Sequence, residues 1–85
     1  MLLVVFDIAG QRGRQRAERV LRSLGFVFLF RNAMWRARLV TTSDVAHPLR
    51  VVLRGEAHRV MLVRVSRRDV DAAQWLHGSG SRRER

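Results

Sequence analysis

Apolar residues along the chain change their spacing repeatedly, and each change predicts a new element of secondary structure. Residues 2–8 are a short, β-branched run that is apolar on both faces, which predicts a central strand. From residue 11 to residue 24 the apolar side chains recur every three or four positions, as in an amphipathic helix, and Gly25 follows as a terminator. Residues 26–30 and 33–40 alternate between two faces and predict two strands joined by a tight turn.

The second half of the chain continues with a helix and a strand. A run of potential N-cap residues at 41–44 precedes a helical stripe of apolar residues. This helix is predicted to begin near Asp44 or to be irregular at its start, because Pro48 lies late for a first-turn proline. Residues 59–65 predict the fourth strand.

The last part of the chain departs from this alternation. Residues 66–71 predict either a turn or a capped helical start, because Ser66 and Asp69 have the spacing of a capping box. Residues 72–77 predict a short C-terminal strand. Residues 78–85 alternate Gly and Ser before a run of charged residues, and they predict a flexible basic tail.

The predicted order β-α-β-β-α-β is that of an α+β, ferredoxin-like sandwich, with two helices on one face of a four-stranded antiparallel sheet. A chain of 85 residues is long enough for one such domain, over residues 1–77, and for no second core. The sheet face opposite the helices is normally polar, but the first, second and fourth strands are apolar on both faces here. This open face needs a partner, either nucleic-acid bases or a second copy of the chain, and we favour a homodimer.

The charge of the chain predicts a polyanionic partner. All 17 cationic residues are Arg, against 7 acidic residues, which leaves a net charge of +10. Phosphate neutralisation supplies most of the non-specific affinity for nucleic acid, and the planar Arg fork binds two phosphate oxygens at once. Genome composition explains the use of Arg instead of Lys equally well. It does not explain why positive charges exceed negative charges by ten. A membrane surface is not favoured, because the predicted helices use their apolar faces for packing.

Several functional classes are excluded by what the sequence lacks. Without Lys there is no P-loop lysine and no Schiff base, and without Cys there is no disulfide framework, zinc finger or thiol nucleophile. His47 and His58 do not have the spacing of a metal motif. The apolar run at the start of the sequence stops at Asp7, too early for a membrane span or a signal peptide, so we expect a cytoplasmic protein.

One cationic patch and one carboxylate are the candidate functional groups. Arg12, Arg16 and Arg19 lie on one face of the first predicted helix, either as a phosphate-binding patch or as an ordinary solvated exterior. Asp7 ends the first, apolar strand, where an unpaired carboxylate is costly to bury. Either Asp7 caps the following loop, or two copies of Asp7 meet across a dimer axis and share Mg²⁺ or Mn²⁺.

Two short motifs match RNA-binding sequences in part. The segment from Gly10 to Gly13 has the Gly-x-x-Gly of a KH loop, but that loop joins two helices, so we interpret the match as chance. The segment 25–28 (Gly-Phe-Val-Phe) is similar to the aromatic core of an RNA-recognition motif, which belongs on the third strand instead of the second. An RNA-recognition-type binding module without catalysis is therefore the alternative function, and it needs exposed Phe26 and Phe28.

Four segments together resemble a known family. They are Val-Val-Phe-Asp-Ile at 4–8, a helix end Leu-Arg-Ser-Leu-Gly at 21–25, a hairpin strand at 33–39 and a late strand at 58–63. This arrangement resembles the CRISPR-associated protein 2 family, the small subunit of CRISPR adaptation, over residues 1–77. The resemblance implies a ferredoxin-like homodimer formed sheet to sheet, with the C-terminal strand of each copy pairing with its neighbour.

The resemblance also implies a function. The homodimer is expected to grip double-stranded DNA, or RNA in some members, and to bridge CRISPR-associated protein 1 integrase subunits during spacer acquisition. Asp7 occupies the position of the family's catalytic and metal-binding acid, which implies endonuclease activity with Mg²⁺ (or Mn²⁺). The arginines assigned to nucleic-acid contacts are Arg12, Arg14, Arg16, Arg19, Arg36 and Arg38.

Three departures from the family pattern lie in the hairpin strand. Ala33 stands where the family has Ser, Trp35 where it has Phe, and Arg36 where it has Glu. Losing a hydroxyl and a carboxylate near Asp7 weakens the expectation of cleavage, whereas an added Arg strengthens the expectation of duplex binding.

Overall fold

The computed structural model describes residues 1–38 and 40–76. The elements are β1 (Leu2–Ile8), α1 (Gln11–Ser23), β2 (Val27–Phe30), β3 (Ala33–Arg36), α2 (Thr42–Val52), β4 (His58–Arg64) and α3 (Arg67–Asp71). The four strands form one antiparallel sheet in the order β2-β3-β1-β4. The predicted α+β class is confirmed. No described helix is long and apolar enough to cross a membrane.

The core lies between the two long helices and one face of the sheet. On α1, Ala17 and Leu21 are fully buried, as the four-residue spacing of the apolar stripe predicts. The residues that complete the core are Leu2, Val4, Phe6, Phe26, Met34, Val45, Leu49 and Leu53. In β1 every second residue from Leu2 to Phe6 faces the helices, so Leu3, Val5 and Asp7 lie on the opposite, open face.

The helix α2 begins two residues before the predicted start at Asp44. The Thr41 hydroxyl oxygen accepts a hydrogen bond from the Asp44 backbone N–H at 3.3 Å, which makes Thr41 the N-cap. Pro48 consequently lies inside the helix, where it provides no N–H for the carbonyl one turn earlier.

Strand β3 ends at Arg36 instead of at residue 40, which corrects the predicted boundary. Arg36 pairs with Leu2, the first residue of β1, and Trp35 pairs with Val27, the first residue of β2. Beyond Arg36 neither neighbouring strand offers a backbone to pair with, so the chain bends at residues 37–38.

The hairpin β2-β3 also departs from simple alternation. Phe28 pairs with Met34 on the helix side of the sheet, but a register shift follows and Phe30 pairs with Ala33. This bulge at Leu29 turns Phe30 to the open face, so the predicted alternation over residues 26–30, which would place Phe28 and Phe30 on the same face, is wrong at this point. Asn32 accommodates the turn with a φ of 66°.

The predicted C-terminal strand is wrong over residues 72–76. The Ser66 hydroxyl accepts from the Asp69 N–H at 3.0 Å and the Asp69 carboxylate accepts from the Ser66 N–H at 3.4 Å, so a capping box starts α3. The chain then crosses the open face, and the Trp75 ring meets Phe30 edge to face at 6.2 Å. Residue 77 and the predicted tail, 78–85, lie outside the described residues.

Candidate nucleic-acid interface

The open face of the sheet has two halves with different surroundings. The half formed by β2 and β3 carries Trp35 and Phe30, and the C-terminal segment 66–76 packs against it. The half formed by β1 and β4 carries Leu3, Val5, Val63 and Met61, and the Met61 side chain is 56% exposed. Apolar side chains are exposed on both halves, since Phe30 is also 56% exposed and Trp75 of the C-terminal segment is 50% exposed.

Asp7 lies at the end of this apolar half, on the same face. Its cross-strand partner is Arg59 of β4, whose Nη2 donates to Asp7 Oδ2 at 3.3 Å. Both side chains are exposed, Asp7 to 75% and Arg59 to 88%. Among the described contacts the carboxylate is bonded by Arg59 and not by the backbone N–H groups of the following loop, which disfavours the loop-cap hypothesis.

Two further arginines line a cavity together with Asp7. The cavity has a volume of about 390 Å³ and includes Arg14 of α1 and Arg31 of the β2–β3 turn, while Asp7 and Arg59 line a second cavity. The lining around this one carboxylate therefore carries three arginines. The local charge favours a phosphate group over a cation.

A divalent metal does not fit this donor set within one chain. Mg²⁺ prefers several oxygen ligands, and the described residues contain no cluster of three or more His, Asp or Glu side chains. Asp7 is in addition paired with Arg59. A shared metal would need Asp7 of a second copy and the displacement of Arg59.

The predicted stripe Arg12, Arg16 and Arg19 is split by its contacts. Arg12 and Arg19 are exposed on α1. Arg16 donates from Nε to the Val52 carbonyl oxygen at 3.3 Å and lies 3.8 Å from the Glu56 carboxylate. Arg16 therefore links α1 to α2, whereas its two neighbours remain accessible to phosphate.

Glu56 explains the Gly-x-x-Gly segment. Its side chain packs over the start of α1, and a Cβ atom on Gly13 would lie 2.7 Å from Glu56 Cγ. A Cβ atom on Gly10 would collide with Glu56 Oε1. A Cβ atom at either position would force the Glu56 side chain to move, so Glu56 packs where both glycines leave room, a contact that sequence reasoning missed and that no local motif signals.

Arg36 and Arg38 lie at the other end of the sheet from Asp7. Asp7 lies five residues, about 17 Å, along β1 from Leu2, which pairs with Arg36. Helix α1 begins beside the Asp7 end of β1 and returns along it, so Arg14 in its first turn also lies far from Arg36. Arg36, Arg38 and Arg67 of α3 line a cavity of about 620 Å³ together with Trp35. The six predicted arginines therefore occupy four places: the outer face of α1 (Arg12 and Arg19), the α1–α2 contact (Arg16), the cavity beside Asp7 (Arg14) and the far end of the sheet (Arg36 and Arg38).

Phe26 and Phe28, which the RNA-recognition hypothesis needs to be exposed for stacking, do not lie on the open face. Phe26 is buried in the core at 2% exposure. Phe28 faces the helix side, where the Arg22 guanidinium lies 5.2 Å from the centre of its ring.

A scan against protein-family models and a search of the curated proteins give no match to this chain.

Proposed function

We propose that this protein is a nucleic-acid-binding homodimer, the structural subunit of a CRISPR spacer-acquisition complex that grips double-stranded DNA and bridges integrase subunits. The observation that carries the proposal is the combination of an apolar open sheet face ending in Asp7 with exposed arginines around it. The apolar face supplies a dimer contact, and the arginines supply the grip on DNA.

We place the dimer contact on the β1–β4 half of the open face, because the C-terminal segment 66–76 already packs against part of the other half. Leu3, Val5 and Val63 are only half buried and Met61 is exposed, so a second copy of the same surface would remove them from water. A two-fold arrangement places the same patch on both copies. It brings the Asp7–Arg59 ends of the two sheets to the rim of the interface.

The grip on DNA follows from charge. Arg12 and Arg19 are exposed on α1, and Arg14 and Arg31 flank Asp7 at the adjacent end of the sheet. Each guanidinium offers a bidentate contact to a phosphate, and a dimer doubles the number along a duplex. Such contacts position the protein on DNA without reading its sequence, as expected of a subunit that accepts spacers of any sequence.

The proposal rests on binding and not on cleavage. The Mg²⁺ (or Mn²⁺) expectation needs both Asp7 carboxylates of a dimer and the loss of two Arg59 pairs, so we expect endonuclease activity to be weak or absent. The RNA-recognition alternative is not favoured, because Phe26 is buried.

The test combines light scattering with salt-dependent binding of a labelled duplex. The protein should scatter as two chains, and the logarithm of its affinity should fall linearly with the logarithm of salt concentration, with a slope of about −0.9 for each phosphate neutralised. The double variant Arg12→Gln/Arg19→Gln removes two arginines per chain and four per dimer, so it should flatten this slope by up to about 3.6 on the same basis. The control Arg68→Gln removes a charge from α3 and should change it little.

Two results would overturn the proposal. A monomer at micromolar concentration would remove the bridging role. A slope that is unchanged in Arg12→Gln/Arg19→Gln but flattened in Arg68→Gln would place the DNA on the opposite side of the molecule.

A further inference from the structure

The cavity of about 620 Å³ at the far end of the sheet combines an aromatic ring with cationic side chains. It lies where β3 ends, between the chain bend at 37–38 and α3, and its walls include Trp35, Arg36, Arg38 and Arg67. Its volume is within the range of pockets that bind small organic ligands, about 300 to 1,000 Å³.

The side chains of the cavity are held by different elements. Arg67 donates from Nε to Asp71 Oδ1 at 3.3 Å, a pair one helical turn apart that orients its guanidinium on α3. Arg36 ends β3 on the helix side, and its Nε lies close to the space beside Gly25. Asp71 offsets one of the three positive charges, so the cavity keeps a net positive charge.

Trp35 separates this cationic cavity from an apolar one. The same indole lines a second cavity of about 350 Å³ with Phe30, Val70 and Trp75. An anionic group is thus favoured on one side of Trp35 and a flat apolar ring on the other.

We propose that this composite cavity binds one nucleotide of a single strand, with its phosphate on Arg36, Arg38 and Arg67 and its base against Trp35. A duplex cannot use the cavity in this way, because its bases are paired and stacked inside the helix. A single strand presents the phosphate and the unstacked base together, and stacking on an aromatic side chain accepts any base.

The inference rests on the proposed binding of nucleic acid but not on the homodimer or on a duplex. Its site lies at the opposite end of the sheet from Asp7, about 17 Å away along β1. The two sites therefore make separate contacts, and each can fail without the other.

The test compares a labelled oligothymidylate with a duplex of equal length. The variant Trp35→Leu should weaken binding of the single strand by about fivefold or more, the lower end of what stacking of one base contributes, and leave duplex affinity within about twofold. Trp35→Phe should retain most of the affinity. Arg38→Gln should flatten the salt dependence of single-strand binding by about 0.7, whereas the control Arg54→Gln, in the turn after α2, should not.

A fluorescence measurement gives a readout that is independent of the Trp35 variants. The chain has two Trp residues, so Trp75→Phe leaves Trp35 as the sole indole and keeps an aromatic ring beside Phe30. Oligothymidylate should quench this fluorescence, and the duplex should not. Equal weakening of both probes in Trp35→Leu, or no quenching at saturating single strand, would refute the inference. If the single strand quenches the fluorescence but the protein does not bind duplex, the inference stands and the proposed function is refuted.

Discussion

Asp7→Asn separates the charge of Asp7 from its shape. The substitution keeps the size of the side chain, removes one negative charge per chain and leaves Arg59 without its ionic partner at 3.3 Å. Because Asp7 and Arg59 are 75% and 88% exposed, the pair stabilises the fold by only about 0–1 kcal/mol. The variant should therefore fold, and its urea midpoint should fall little.

Asp7→Asn should change the affinity for DNA more than it changes the stability of the fold. The affinity should rise, whereas the stability should fall slightly. Arg59 becomes available to a phosphate, and the carboxylate no longer repels one from Arg14 and Arg31. One new phosphate contact per chain, or two per dimer, steepens the log–log salt slope by about 1.8, so the advantage of the variant should shrink about twelvefold when salt is raised fourfold.

The assay is fluorescence anisotropy of a labelled duplex over a salt series of about 50 to 200 mM. Asp44→Asn, in the exposed first turn of α2, changes the net charge equally and should give a smaller gain in affinity. An unchanged slope in Asp7→Asn would show that no phosphate lies near Asp7. Loss of both the dimer and DNA binding in Asp7→Asn would show that Asp7 is structural.

Cleavage by the wild type, where detected, should need divalent metal and vanish in Asp7→Asn. Cleavage that persists under chelator would refute a metal role.

Three further predictions concern the dimer face and the α1–α2 contact. Met61→Lys should give a folded monomer in light scattering, because the side chain is exposed in one chain and buried only by a second copy; a dimeric variant would exclude this face. Gly13→Ala should lower the free energy of unfolding of the wild type in urea, because its Cβ atom would meet the Glu56 side chain. In a Glu56→Ala background the same substitution should raise the free energy of unfolding by about 0.4–1 kcal/mol. Equal effects in both backgrounds would contradict the packing of Glu56 against α1. Arg16→Gln should lower the free energy of unfolding by about 0.5–1 kcal/mol through its bond to Val52, and should flatten the salt slope less than Arg12→Gln does.

The order of the six main elements could be predicted from periodicity because each element buries one face. Ala17 and Leu21 of α1 are buried as the helical spacing indicates. The end of β3 could not be predicted in this way, because a strand stops where its neighbours stop. The alternation continues past Arg36, but the register places that residue opposite the first residue of β1.

The C-terminal strand was predicted from composition, and a local hydrogen-bond pattern decided otherwise. The spacing of Ser66 and Asp69 carried the correct signal, since their reciprocal bonds start α3. A short apolar run after such a cap is ambiguous between strand and coil until the surface it meets is known. Here Trp75 meets Phe30 of the same chain.

The position of Asp7 at a strand end followed from the sequence, but its surroundings did not. Arg59 is 52 residues away along the chain and reaches Asp7 only through the β1–β4 register. The separation of the arginines was implied by the predicted fold. Helix α1 begins where β1 ends, so Arg14 near its start lies at the opposite end of the sheet from Arg36. The contact of Glu56 with the start of α1 could not be predicted. The space that Gly10 and Gly13 leave for its side chain exists only once the chain is folded.

The bulge at Leu29 has a consequence for the behaviour of the protein at high concentration. Strand β2 is the outer edge of the sheet, and with Phe26 before it the sequence Phe-Val-Phe-Leu-Phe is a segment typical of cross-β aggregates. The bulge shortens the regular row of backbone donors and acceptors that an incoming strand would need, and β2 itself has only four residues. Arg31, directly after the strand, adds a charge that repels an identical neighbour in a stacked array. We therefore expect this one irregularity to lower the tendency of an unusually aromatic edge strand to form fibrils.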